Sequence, residues 1–160
     1  MDFATASNLA ALVGPAYLLA VAVPLSIFDV RQRRLPNRLV LPGLPIALAG
    51  QIVGCLLGAT WLALGVGVAW MLAGFVVGLG INRLNALGMG DVKLISLICL
   101  NLGWFGWQWP LTALTVAFGA ATVLVLALFA FGRYRLSSTI PLGPYLLAGF
   151  LASTIGLVVS

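Results

Sequence analysis

No Asp, Glu, Lys or Arg occurs in residues 3–28, 39–82, 94–132 or 136–160 of this 160-residue chain. Those stretches run to 26, 44, 39 and 25 residues, and a helix that crosses a bilayer takes about 20 residues at a rise of about 1.5 Å each. The two outer stretches therefore hold one spanning helix apiece, and the two inner ones hold two. Spans are predicted near 8–28, 39–58, 61–81, 92–108, 111–131 and 140–158. Composition points the same way. The chain is 62% hydrophobic and 7% charged, with a mean hydropathy of +1.18, and a water-soluble domain of that make-up would expose large apolar patches. The expectation is an all-α, polytopic membrane protein with six transmembrane helices. A single domain over residues 1–160 is the simplest partition, since no duplicated unit is evident.

The turns inside the long stretches carry their own signals: Gly54 and Gly58 ahead of Trp61, and Trp104, Trp107, Trp109 and Pro110 where an aromatic belt would fall. Arg31, Arg33, Arg34 and Arg38 lie between the first two spans, Arg83 and Lys93 flank the third connection, and Arg133 and Arg135 precede the last span. All the basic residues thus fall on one side, which the positive-inside rule makes cytoplasmic, with both termini outside. An inner (plasma) membrane location follows. The net charge of +5 is explained by these membrane-flanking loops, which suit anionic lipid headgroups rather than nucleic acid. "MDFATASNLA" lacks a basic stretch before its apolar run, so it reads as a retained first helix and not a secretory signal. Cys55 and Cys99 have no C-x-x-C spacing and the chain has no histidine, so no metal ion and no cofactor is expected. Gly54 with Gly58, and Gly74 with Gly78, are spaced for close helix packing.

Three carboxylates remain: Asp2, Asp29 and Asp91. Asp29 ends the first span and Asp91 opens the fourth, so the two share a level at the predicted cytoplasmic face. Either alone would pass for an interfacial carboxylate, solvated or paired with an arginine. Two at one depth, each in unusual local sequence, point to function. Around Asp91 that sequence is Gly88-Met89-Gly90, which removes side chains and lets a second chain approach the acid. Around Asp29 it is "DVRQRRLPN", in which Pro36 disfavours helix at Leu35 and Asn37 is a good N-cap for the next helix. Two adjacent carboxyls suffice for aspartic proteolysis: one stays protonated and polarises a peptide carbonyl while the other takes a proton from water. Lys93, about 200° around a helix from Asp91, is expected to point away. Arg33 is placed to pair with Asp29 if the helix continues.

"RRLPN" after Asp29, "GMGDVKL" over Gly88–Leu94 and "IPLGPYLLAG" from Ile140 together resemble the type IV prepilin peptidases, membrane aspartic proteases of the GxGD type. Order and spacing agree over roughly residues 20–150, with Leu142 where Phe is common. The resemblance implies Asp29 and Asp91 as the catalytic pair, with Gly88, Gly90, Lys93, Pro36, Asn37, Pro141, Gly143 and Pro144 binding substrate or shaping the site. It also implies a substrate: a prepilin or pseudopilin whose short basic leader is cut at the cytoplasmic face beside a hydrophobic helix. Larger members carry a segment with two C-x-x-C pairs and also N-methylate the product. This chain has neither, and is similar to the short, protease-only form associated with Flp or tight-adherence pili, a layout also close to archaeal preflagellin peptidases.

Other classes make different demands. A proton-coupled transporter favours acids near the bilayer midplane, and a non-catalytic pilus-assembly subunit needs no paired acids. A presenilin-like protease pairs GxGD with Tyr-Asp and Pro-Ala-Leu, where Phe28-Asp29 and Ile140-Pro141-Leu142 stand here.

Overall fold

The computed structural model of the protein describes residues 6–32, 35–85, 87–131 and 141–159, and among them all regular structure is helical. In chain order the helices are α1 (Ala6–Ala11), α2 (Val13–Gln32), α3 (Asn37–Val40), α4 (Gly43–Leu56), α5 (Trp61–Arg83), α6 (Met89–Gly103), α7 (Gln108–Ala130) and α8 (Gly143–Val159). The bonds Leu12 N–H to Asn8 O and Ala16 N–H to Leu12 O carry α1 into α2. Four segments are long and apolar enough to cross a bilayer: Ala6–Gln32, Asn37–Leu56, Trp61–Arg83 and Gln108–Ala130. α6, with 15 residues, and α8, with 17, are shorter than those four.

Helices occupy all six stretches expected from the charge pattern, with informative departures. The second stretch is broken at Leu41–Pro42, where Pro42 offers no N–H and Leu44 N–H turns back to Leu41 O. The fourth begins at Met89 and stops at Gly103, well short of residue 108. Tight bonds from Phe105 N–H to Leu102 O and Gly106 N–H to Gly103 O end it, and Gly106, at φ 139°, takes a conformation that side chains disfavour. Trp104 is not a belt residue: it is buried with Ala11, Cys55, Phe105 and Leu157, and its Nε1 donates to Asn8 Oδ1 at 3.4 Å. Trp61 and Trp107 are the exposed ones.

α6 lies at the centre, and every residue from Leu94 to Gly103 is buried. Lipid tails are as apolar as leucine, so what joins such helices is close approach and interhelical hydrogen bonding. α5 supplies the approach: Gly67, Gly74 and Gly78 are its buried residues. A methyl group added at Gly74 would lie 3.0 Å from Cys99 Sγ, and one at Gly78 would lie 3.1 Å from Val92. The Gly54–Gly58 pair divides its tasks. Gly54 packs on the Ser7 carbonyl and the Trp104 ring, whereas Gly58, at φ 108°, has open space where a side chain would be and forms the turn after α4. Hydrogen bonds add the rest. Gln51 Nε2 of α4 donates to Leu100 O of α6 at 2.9 Å. Ser153 Oγ of α8 donates to Trp109 O of α7 at 2.9 Å, with Thr112 Oγ1 3.0 Å from the same hydroxyl.

Candidate active site

Asp29 sits in the last turn of α2 and is only 4% exposed. A buried carboxylate needs donors, and here a distant segment of chain supplies one: the backbone N–H of Gly143, first residue of α8, donates to Asp29 Oδ2 at 2.8 Å. A side chain at position 143 would push Asp29 aside, because its Cβ would lie 2.7 Å from that same oxygen.

Asp91 is held differently. Gly88 is the N-cap of α6 and Asp91 its third residue. The Asp91 carboxylate accepts from the Gly88 backbone N–H, the reciprocal half of a capping box. This bond uses one edge of the carboxyl. Oδ1 is buried and has no partner among the described residues. Burial, with the Asp29 carboxylate adding to it and the Gly88 N–H opposing, pushes the Asp91 carboxyl up to about 6. Asp91 precedes the apolar run of α6 and lies outside the four long spans.

The two acids line one cavity of about 440 Å³ together with Leu35, Asn37, Gly88, Met89, Gly90 and Lys93. Six of the ten residues expected at the site thus meet: Asp29, Asn37, Gly88, Gly90, Asp91 and Lys93. Gly143 reaches it through Asp29. Pro36 is the N-cap of α3, Pro144 is the second residue of α8, and Pro141 immediately precedes that helix. Arg33, Arg34, Arg133, Arg135 and Ile140 lie outside the described residues.

Three expectations change. Asn37 is not an N-cap: α3 begins on Pro36 with no side-chain cap, and the Asn37 amide oxygen instead accepts from Lys93 Nζ at 2.9 Å. Lys93 does not point away from the site, because its long stem carries the ammonium back to the cavity rim. The space beside Gly90 is taken by this chain's own Leu35, whose Cβ would be 2.8 Å from a methyl added there. Leu35 and Met89 were the lining residues that motif reading missed. The signal for Leu35 was an apolar residue just before the N-cap with Val40 five positions on, the spacing of a hydrophobic staple. Both are buried in the same core cluster.

A smaller cavity, about 220 Å³, opens between α5, α6 and α7 with Trp70, Val77, Ile81, Ile95 and Phe118 among its walls. It holds no acid or base.

Comparison with known proteins gives the geometry its context. A curated prepilin leader peptidase/N-methyltransferase of Burkholderia pseudomallei strain 1026b is 28% identical over 160 residues, covering 94% of this chain and 50% of the relative. The protein of the same description from strain K96243 matches equally. A prepilin leader peptidase/N-methyltransferase of Pseudomonas putida is 34% identical over 148 residues, covering 80% of this chain and 44% of the relative. The chain spans about half the length of these relatives. No solved structure matches. The profile of the type IV leader peptidase family matches residues 16–160, a span that holds both Asp29 and Asp91, and the chain belongs to that family.

Proposed function

We propose that this protein is a membrane aspartic endopeptidase that removes the leader of a type IV prepilin or pseudopilin, with Asp29 and Asp91 as its catalytic pair. The observation that carries the reading is the meeting, in one open cavity, of two carboxyls that are 62 residues apart in a chain with only three acids. In the reaction one carboxylate takes a proton from water while the other, protonated, donates to the scissile carbonyl. Gly88 caps the helix that carries Asp91, Gly90 lets Leu35 pack close to form one cavity wall, Lys93 and Asn37 frame the cavity rim, and Pro36, Pro141 and Pro144 fix the chain entering α3 and α8.

On this reading the cavity lies at the cytoplasmic face of the inner membrane, with six crossings and basic loops against anionic headgroups, and the charge pattern supports it. The substrate is then a peptide with a basic leader followed by a hydrophobic helix, of the Flp type. The reading is confined to peptide hydrolysis; the methyl-transfer half of the relatives' descriptions is not carried over. The test is co-expression with candidate prepilins and detection of leader loss by gel mobility and N-terminal sequencing. Cleavage by the wild type and none by Asp29→Asn or Asp91→Asn is the expected result. No cleavage by wild type, with pilus assembly still dependent on the protein, would favour a non-catalytic assembly subunit.

A further inference from the structure

Asp29 and Asp91 are held by different parts of the molecule. Asp91 is capped from within its own helix, by Gly88 three residues earlier. Asp29 is held from outside, by the first N–H of α8, 114 residues along the chain. The first turn of a helix carries unpaired N–H groups and the positive end of its dipole, and both favour a negative charge placed there. α8, at 17 residues, presents that end to Asp29. Asp91 also lines the cavity, and its Oδ1 is buried with no hydrogen-bond partner among the described residues.

Resting on the reading of the two acids as a catalytic pair, we propose that Gly143 is a positioning residue that divides the pair's proton, its backbone N–H holding Asp29 as the base and leaving Asp91 as the acid. Asp29 then takes a proton from water as the water oxygen bonds to the scissile carbonyl carbon, and the protonated Asp91 carboxyl gives its proton to the carbonyl oxygen. In the collapse of the resulting diol, Asp29 passes its proton to the leaving nitrogen. The C–N bond breaks, and Asp91 recovers a proton from the hydroxyl that becomes the new carbonyl. Both acids end in their starting states.

The upward shift of Asp91 to about 6 agrees with its part. Few described charges lie near the pair. Among the described residues, Asp29 has Asp91 and Lys93 from α6, Arg38 from α3 and Arg31 on its own helix as charged neighbours in sequence or space; α1, α4, α7 and α8 carry none. Lys93 is engaged by Asn37, and Arg31 and Arg38 are exposed. Glycine at 143 is what permits the contact, since a Cβ would fall 2.7 Å from Oδ2 and 3.0 Å from Cγ of Asp29.

The experiment is the pH profile of kcat/KM for full-length protein in nanodiscs, with the amide at Gly143 replaced by an ester through incorporation of glycolic acid in cell-free translation. This exchange deletes one N–H and adds no bulk. Loss of a hydrogen bond to the ionised form disfavours the charged base, so the acid limb should move to higher pH. The base limb and the melting temperature should hold. An ester at Tyr145, whose N–H serves Leu142 O in the same turn, should leave both limbs in place. An unmoved acid limb overturns the proposal, and a shift of the base limb instead would mean that the two acids have the opposite roles. Should the ester protein fail to fold, Gly143→Ala carries the test. It displaces Asp29 from the N–H, so kcat should fall on the order of tenfold to a hundredfold with KM little changed and the acid limb should again rise. The pair itself is tested separately by Asp29→Asn and Asp91→Asn: if these are inactive while the limbs of the Gly143 variants stay put, the pair stands and the division of its proton falls.

Discussion

The sealed middle of α6 and the cavity at its N-terminal end both hold polar side chains, under opposite rules. In the middle every polar group is neutral. Ser96 Oγ returns its proton to Val92 O at 2.8 Å, Asn101 Nδ2 does so to Leu97 O at 2.8 Å, and Gln51 reaches across to Leu100 O. Their leftover amide oxygens lie against Gly67 and Gly14, which make room for them. At the N-terminal end two of the polar groups are carboxyls, held by helix-terminal N–H groups and lining an open cavity. A neutral amide without a full set of partners costs little enough to serve as glue, whereas a buried carboxyl without one stays costly and is kept for its chemistry. Removing a polar group should therefore cost stability in the middle and activity at the end.

The largest expected effect breaks or upholds the chemical half of that contrast. Asp29→Asn and Asp91→Asn should each reduce leader cleavage about 10²- to 10⁴-fold, with helical content and detergent-solubilised yield unchanged. Cleavage near the wild-type rate by either would remove the functional end from the comparison.

The same Asp91→Asn protein should be more stable than wild type at neutral pH. Asp91 titrates near 6 in the folded protein against 3.8 for an ordinary aspartate, so the folded state binds the proton more tightly. Stability then falls as pH rises from about 4 to about 6 and levels off above. An uncharged Asn escapes the loss, for a gain of roughly 1–3 kcal/mol at pH 7 that vanishes below pH ~4. Thermal unfolding of both proteins across pH 4–8 is the measurement. A lower melting temperature for Asp91→Asn at pH 7 would contradict the assignment.

Gln51→Leu is the mirror case. Loss of the bond to Leu100 O should cost about 0.6–2 kcal/mol and leave cleavage per folded molecule unaltered. A loss of activity larger than the loss of folded protein would mean that the sealed region also takes part in the chemistry.

Gly90→Ala lies between the two regions. Alanine favours a helix by about 1 kcal/mol over glycine, but its methyl would press on Leu35 at 2.8 Å and shift one wall of the cavity. Activity should drop while the melting temperature barely changes. Smallest of all, Asn37→Ala removes the rim bond to Lys93; because that bond is exposed, its effect on stability should be under about 1 kcal/mol, read by the same unfolding curves.

The charge-free stretches made the helices legible because a chain cannot place charges in hydrocarbon without loss, so the positions of the few it has mark the boundaries. The motif around Asp91 was legible because Gly-x-Gly beside an acid has few other uses. What stayed hidden depended on distance in sequence. Nothing local to "FDV" reveals that Asp29 meets Gly143 N–H, and a backbone donor leaves no mark on residue type beyond the glycine. Lys93 was misread because helical angle fixes where a Cβ points, not where a four-carbon stem ends. Gln51 and Asn101 passed unremarked because no periodicity distinguishes a polar residue packed on a glycine from one facing a headgroup.

One consequence of the brevity of α6 concerns the lipid around it. Fifteen residues rise about 22 Å, some 8 Å less than a hydrocarbon core of about 30 Å. A helix walled in by protein need not match the bilayer, so if α6 is one of the crossings, as proposed above, the shortfall is left as a depression at one or both of its ends. Asp91 stands at one of them. The depth of that depression depends on the thickness of the surrounding membrane, which makes acyl-chain length a control on how far a peptide must descend from the headgroup plane to reach the acids: shorter lipids bring the surface down to the site.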